Sequence, residues 1–521
     1  MDSQASANGN YVWQVLDLFA RYGEAEAIVD ERRRISYTDL RAEILTMAAT
    51  LHHHGMRPGL AVGILAGNPA ETIVLQFAVH LLGGRTAWVA PNAPATFRDQ
   101  FLTIARVDAF VYETNAYVDF ALDMARSAAP LPVFCLGGGG LGPDLGAGDR
   151  IDRIEDLPFT AADVATEPEA LFQTGGTTGQ PKLVHHRQRF FVTALRFAEQ
   201  YLEAGEHPMK HLAMSGYWHV SAQMPGHMCL FTGGSFHMQD GFDIAVFFDT
   251  IAAERITDTL IPPPLFGYIL DHQVLEKADC SSLLRVNIGG SSIAPTRLAQ
   301  AIRRLGPVLR PAYGMSEAPI ITAYQNIPDD PAVLASVGQP YGDLSLEIRD
   351  PDGAPVPTGG TGEVWVTGGV MMDGYWGQPE LTAETLVDGW LRTGDVGYLD
   401  QHGNLFLVDR VKDMILTGWG SSNVFARPIE DALATHPDVR AAAVVGVPSD
   451  RYGEAVHAFV VRAPGSTVTA DDLRAVVVDR LNELWSPAGV DFVDALPLTG
   501  ASKVDKKALR ERYVADLAAA S

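Results

Sequence analysis

Helical and strand patterns alternate at short intervals through the first part of this 521-residue chain, and that alternation restricts its fold more than any other feature. Thr38 is placed to cap a helix whose apolar positions Leu40, Ile44, Met47 and Leu51 recur at helical spacing, with Gly55 as the stop. A short apolar run follows at Ala61–Ala66, then a helical stretch from Ala70 to Leu82, then a second run at Thr86–Ala90. Such alternation predicts βαβ units and a largely parallel sheet covered by helices. The glycine-rich segment 136–148 reads as a surface loop or spacer. From about residue 410 the pattern changes. Short strands at 442–447, 457–461 and 490–493 surround a helix from about Asp471 to Leu484, which predicts a small α+β domain.

Composition narrows the class of function. A chain of this length exceeds one hydrophobic core and predicts two to four domains or subdomains. The net charge of −24 argues against a duplex nucleic-acid binder or a protein of anionic membranes, both of which need basic surface. Cys135, Cys229 and Cys280 lie far apart, so neither a disulfide framework nor a thiolate metal site is expected. No run approaches the ~18 apolar residues of a membrane span. No basic region followed by an apolar stretch opens the sequence, and a cytoplasmic location is expected. His52, His53 and His54, at a predicted helix end, read as solvated rather than metal-binding, and the pair His185 and His186 receives no role.

Two segments more than 300 residues apart carry the chemistry. In Thr174-Gly-Gly-Thr-Thr-Gly-Gln-Pro-Lys182, the glycines let the backbone approach phosphate oxygens, and consecutive N–H groups can form an anion-binding nest. Thr177 and Thr178 add hydroxyl donors and Lys182 adds a charge. A polar hairpin between strands is the alternative on this segment alone, and the glycine-lysine-serine/threonine ending of a P-loop is missing. The second segment, Pro497–Lys507, presents Lys503 on the small terminal region.

With Tyr313-Gly-Met-Ser-Glu317, Gly389–Tyr398 and Val408–Ile415, these segments stand in the order of a known family. The chain resembles the adenylate-forming superfamily of acyl-CoA ligases, luciferases and peptide-synthetase adenylation domains, over residues 12–513, and looks closest to the AMP-dependent acyl-CoA ligases. The resemblance implies a large N-terminal domain, 1–410, of parallel α/β subdomains plus a β-barrel-like subdomain. It implies a small mobile α+β domain over 411–521 that carries the catalytic lysine.

Site residues follow from the resemblance one at a time. Thr174, Gly175, Gly176, Thr177, Thr178, Gly179 and Lys182 resemble the phosphate loop. Tyr313 resembles the aromatic that stacks on adenine, with Gly314, Met315 and Ser316 beside it and Gly289, Gly290, Ser291 and Ser292 along the ring's other side. Glu317 resembles the acid that holds Mg²⁺, Asp395 the carboxylate that accepts both ribose hydroxyls, and Arg410 the ribose-contacting arginine. Lys412 sits at the hinge position, and Lys503 resembles the lysine that reaches the carboxylate and α-phosphate in one domain orientation. His219 matches the family position lining the acid site, and Trp218, Ser221, Met224, Gly290 and the stretch 261–266 are expected to border the same pocket, where their bulk suggests a small or medium, including aromatic, substrate. ATP and Mg²⁺ are the implied cofactors and CoA the implied co-substrate, with no nucleic-acid or membrane partner. The oligomeric state stays open between monomer and homodimer.

The chain also departs from the family pattern. Gly175 stands where serine is usual, Leu183 where glycine is usual, and Gly500-Ala-Ser502 replaces the usual Pro-x-Gly before Lys503. The largest departure is Thr417-Gly-Trp-Gly-Ser-Ser-Asn-Val-Phe-Ala-Arg-Pro428, a longer segment with Trp419 beside Gly418 where the family lines its acceptor channel. Three readings therefore stand. The first is a carboxylic acid–CoA ligase proceeding through an acyl-adenylate. The second is the same activation with a carrier-protein thiol, an amine or nitrite-derived diazotisation as the outcome. The third is a non-catalytic binder, which has no need of Glu317, Asp395 and Lys503 together.

Overall fold

The computed structural model describes residues 9–128, 130–174, 182–290, 295–324, 333–410, 415–416, 423–449, 453–499 and 503–520. Two large sheets form its body. In the first, strands run in the order Gly374–Tyr375, Lys182–Arg187, Glu169–Thr174, Arg85–Trp88, Ala61–Leu65, Ala109–Glu113, Val133–Leu136. The five strands from Glu169–Thr174 to Val133–Leu136 pair parallel, as the alternation predicted. The second has nine strands, and the run from Glu26–Val29 through Ser235–Met238, Lys210–Ala213, Asp258–Ile261 and Arg285–Ile288 to Leu309–Met315 is parallel. Helices Tyr11–Tyr22, Tyr37–His53, Ala70–Leu81, Gln188–Glu203 and Val220–Phe231 contribute buried side chains to one shared core. Helix Ala70–Leu81 exposes almost nothing, so its burial is complete on every side and not confined to one stripe.

The barrel-like subdomain anticipated from the sequence is a five-stranded antiparallel sheet that includes Trp390–Leu399 and Leu405–Arg410. Beyond it, strands Val439–Ser449, Gly453–Arg462 and Gly489–Phe492 form a three-stranded sheet under helices Ala426–Leu433 and Ala470–Arg480, with an apolar core of their own. The mixed α/β class is as read from the sequence. Two local expectations shift. Helix Tyr37–His53 is capped by Ser36, whose Oγ accepts from the Asp39 amide at 3.1 Å, while Thr38 donates to Glu24. The helix expected to reach Leu484 ends at Arg480, because Leu481 (φ −121°, ψ −85°) leaves helical space and a 3₁₀ turn follows at Glu483–Trp485. The 136–148 segment is an exposed loop, yet Asp144 orders it by accepting from the Gly138 and Gly146 amides at 2.9 and 3.0 Å. All three cysteines are free. Among the described residues no helix is long and apolar enough to cross a membrane.

An unusual number of histidines lies inside. Burial pushes His80, His211 and His227 down to about 3, and His186, His219 and His237 down to about 4. These groups are neutral in the fold and take up protons on unfolding. Their folded pKa values lie below the unfolded value of about 6.5, so the stability they confer is complete above that pH and is lost as pH falls toward 3–4. Each steepens the loss by up to about 1.4 kcal/mol per pH unit in that window. Urea midpoints measured from pH 7.5 down to 4.5 are therefore expected to fall steeply below about pH 6.5. A flat profile to pH 5 would contradict the buried neutral histidines.

Candidate active site

The site is built where sheet ends and their connections meet. Strands Glu169–Thr174 and Lys182–Arg187 pair antiparallel with Thr174 opposite Lys182, so the connection is between hairpin-paired strands. Gly175, Gly176, Thr177, Thr178 and Gly179 lie outside the described residues, as do Ser291, Ser292, Lys412, Gly418 and Trp419. The Lys182 ammonium stands 4.9 Å from the centroid of the Tyr375 ring. The Tyr375 hydroxyl in turn donates to Glu317 Oε1 at 2.7 Å. A cation, a phenol and a buried carboxylate thus form one chain of contacts.

Tyr313 lies near the end of strand Leu309–Met315, which folds back antiparallel into Ala318–Ala323 through Ser316 and Glu317. This turn is tight. A Cβ on Gly314 would sit 2.2 Å from the Pro319 carbonyl oxygen, so only glycine fits there. Two further contacts fix it: the Met372 amide donates to the Glu317 carbonyl at 2.7 Å, and His186 Nε2 lies 2.8 Å from the Ser316 carbonyl. With its pKa near 4, His186 is neutral, and a carbonyl partner requires the proton on Nε2.

Asp395 and Arg410 face each other across the antiparallel pair Trp390–Leu399 and Leu405–Arg410. Arg410 Nε lies 2.9 Å from Asp395 Oδ1, and the Tyr313 hydroxyl donates to Oδ2 at 2.5 Å. Asp395 is buried, while Arg410 is 40% exposed and forms the open edge. Burial raises the Tyr313 phenol pKa first, and the Asp395 charge raises it further. Each carboxylate oxygen keeps lone-pair capacity beyond these bonds, which suits a diol partner.

Two residues from elsewhere complete the arrangement. Lys503 directly precedes Val504, which forms a short antiparallel bridge with Leu498, and the Thr499 amide donates to the Lys503 carbonyl at 2.7 Å. The residue is exposed as a whole, but its ammonium is desolvated, and its pKa is lowered first by that burial and then by Arg410. Asp395 and Glu317 pull the other way. His219 caps helix Val220–Phe231, with Nδ1 accepting from the Ser221 amide at 3.1 Å and facing Ser221 Oγ at 2.7 Å. Burial, then the Lys503 charge, lowers its pKa to about 4. Trp218 lies edge-on to His219 at 5.8 Å and packs against two of the N-terminal cores. Gly290, at φ +94°, follows strand Arg285–Ile288.

The structure therefore joins Tyr313, Asp395 and Arg410 by direct contact, and brings Lys503 within electrostatic reach of Arg410, Asp395, Glu317 and His219. His186 and Tyr375 are the two contributors missed in the sequence. For His186 the signal was a histidine four residues past the loop lysine on a strand pattern; for Tyr375 it was the Gly-Tyr-Trp triplet before Pro379. Elsewhere, Glu26, His237 and Glu254 bring metal-ligand atoms within 4.8 Å of one another, but Arg34 already pairs with both carboxylates.

This architecture and constellation define an adenylate-forming enzyme. Residues 16–376 match the AMP-binding enzyme family and residues 428–503 match the AMP-binding enzyme C-terminal domain, so the chain belongs to that family of ATP-dependent, AMP-forming ligases. It is 34% identical over 486 residues to the medium/long-chain-fatty-acid–CoA ligase FadD8 of Mycobacterium tuberculosis, covering 88% of this chain and 82% of that protein. It is 32% identical over 489 residues to a feruloyl-CoA synthase of Amycolatopsis, covering 92% and 94%. The amide bond synthetase McbA from Marinactinospora thermotolerans superposes with a TM-score of 0.88 at 32% identity, over 96% of this chain and 99% of that one.

Proposed function

We propose that this chain activates a carboxylic acid with ATP, releasing pyrophosphate, and passes the acyl group from the adenylate to the thiol of CoA. The observation that carries the reading is the approach of Lys503, from the C-terminal unit, to the acidic and basic groups around Asp395 and Glu317. In the first step a carboxylate oxygen attacks the α-phosphorus and the bond to the bridging oxygen of pyrophosphate breaks. Two anions meet there, and an ammonium that arrives with the reactants offsets their repulsion in the transition state. In the second step the sulfur attacks the acyl carbon, AMP leaves, and the thiol proton passes to solvent.

The family likeness supplies the roles, and the contacts of the described residues support several of them. Thr174 and Lys182 flank the phosphate loop, which includes Gly175 to Gly179; Tyr313 takes the adenine, with Gly314, Met315, Ser316, Gly290, Ser291 and Ser292 about it. Asp395 and Arg410 take the ribose, the arginine holding the carboxylate in place through its 2.9 Å contact. Glu317 suits Mg²⁺, because Tyr375 occupies Oε1 and, among the described residues, Oε2 has no hydrogen-bond partner. The metal, when bound there, would neutralise phosphate charge. His219, Trp218, Ser221 and Gly290 border the acid. His219 is neutral at ordinary pH, so it leaves the incoming carboxylate to pair with Lys503. Residues 1–410 form the adenylation domain, and 411–521 the mobile domain, turning about Lys412, with Gly418 and Trp419 on the acceptor channel.

One observation favours a second acceptor. The likeness to an amide bond synthetase is as strong in identity as the likeness to a CoA synthase, which supports an amine in place of the thiol. Incubation with ATP, Mg²⁺ and a panel of aliphatic and aromatic acids, with CoA, an amine or neither, separates these outcomes by mass spectrometry. A CoA thioester from one acid is the expected product. Amide formation with no thioester would transfer the reading to the amine acceptor, and turnover only with nitrite plus an aryl amine would overturn carboxylate activation.

A further inference from the structure

Tyr217 directly precedes Trp218 and His219, and every polar group it owns is held by a buried carboxamide. Its amide donates to Asn68 Oδ1 at 2.8 Å, its carbonyl accepts from Gln223 Nε2 at 2.8 Å, and its hydroxyl donates to Gln76 Oε1 at 2.6 Å. Gln76 Nε2 then donates to Gln223 Oε1 at 2.7 Å, closing a ring. Asn68 Nδ2 continues to the Gln239 carbonyl at 2.8 Å. Gln76 and Gln223 have no exposed surface, Tyr217 has 1% and Asn68 8%.

Such a knot is not what a core needs for burial. Helix Ala70–Leu81 is buried on nearly every side, and leucine or methionine would fill the Gln76 and Gln223 positions without desolvating an amide. A fully satisfied buried network instead fixes one geometry, because any displacement leaves a polar atom unpaired at a cost. The geometry fixed here is the backbone of residue 217. From it the chain turns, with the His219 amide donating to the Gly216 carbonyl at 2.9 Å, and enters the helix that His219 caps.

We propose that Tyr217, Asn68, Gln76 and Gln223 are positioning residues for the acid pocket: they set the direction of Trp218 and His219 and thereby the discrimination among acids. This rests on the reading of His219 and Trp218 as the pocket wall. The pocket is pre-shaped by the network, so selectivity among acids arises before closure of the C-terminal unit.

The test is acid-dependent ATP–pyrophosphate exchange with Tyr217→Phe and, separately, Gln223→Met, alongside Gln76→Glu, which keeps an acceptor for the Tyr217 hydroxyl but loses the donor to Gln223 Oε1. For the first two, KM for the preferred acid is expected to rise roughly tenfold, KM for ATP to stay within about twofold, and the preference over the second-best acid to shrink. Gln76→Glu, which sets an oxygen against Gln223 Oε1, is expected to weaken the acid preference as well. Variants that lose thermal stability while the ratio of the two KM values and the acid preference stay as in wild type would show a purely structural network and overturn the inference. If Gln223→Met fails to fold, the isosteric Tyr217→Phe decides alone. Wild-type protein with no acid-dependent exchange for any acid would instead overturn the adenylation reading, and this inference with it.

Discussion

Replacing Lys503 with alanine is expected to lower acid-dependent pyrophosphate release by roughly 10²–10³-fold, the usual cost of removing one preorganised donor from a developing charge. The structural ground is specific. Lys503 feels Arg410, Asp395 and Glu317, and it is felt by His219, so one ammonium is common to the nucleotide side and the acid side of the cleft. The hydrogen bonds Lys503 makes in the fold run through its backbone, and removing a desolvated ammonium relieves a burial cost, so the fold should lose little and the thermal midpoint should stay within about 1–2 °C. Transfer from a supplied acyl-adenylate to the acceptor should survive, because the lysine serves the first step. The pH dependence follows the same group. Desolvation and Arg410 lower its pKa from the ordinary lysine value, and the protonated form is the active one. Adenylation should be full below that lowered pKa and decline as pH rises through it, earlier than for a solvated lysine. A variant that releases pyrophosphate within about twofold of wild type would remove Lys503 from the mechanism.

Asp395→Ala should have the second-largest effect, and it should act on both binding and stability. The carboxylate accepts from Tyr313 and pairs with Arg410 while itself buried, so its loss strands a buried phenol and leaves the guanidinium without that partner. Because Arg410 is 40% exposed, solvent recovers part of the loss, and a destabilisation of about 1–3 kcal/mol is expected. KM for ATP should rise by roughly 10²-fold, since two hydrogen bonds to a charged acceptor vanish together. KM for the acid should barely move. Asp395→Asn keeps an acceptor for Tyr313 and should recover most of the stability but only part of the ATP affinity. Urea midpoints and separate saturation curves for ATP and acid check each part. Equal rises in both KM values would contradict a ribose role.

The sequence made the parallel architecture readable because fully buried parallel strands such as Ala61–Leu65 leave continuous apolar runs, with largely apolar helices such as Ala70–Leu81 between them. The resemblance to a known family, rather than periodicity or spacing, singled out Tyr313, Glu317, Asp395, Arg410 and Lys503 as residues expected to share one site. What stayed hidden shares one physical cause: its meaning depends on partners far along the chain. His186 matters through a carbonyl 130 residues away, and Tyr375 through a carboxylate 58 residues back. The Tyr217 knot joins Gln76 and Gln223, 147 residues apart, and glutamine in an apolar helix gives no sign of which partner awaits it. Helix ends failed for a local reason, since Ser36 and Thr38 are both competent caps and only the backbone at Ser36 (φ −79°, ψ 168°) decides between them.

The most direct measurement is exchange of labelled pyrophosphate into ATP by the purified protein with Mg²⁺, repeated across a panel of acids and without any acid. Exchange that appears only with particular acids, and that Lys503→Ala abolishes, is the expected result and would establish a reversible acyl-adenylate. Exchange absent with every acid, or equal with and without acid, would contradict carboxylate activation as the work of this site.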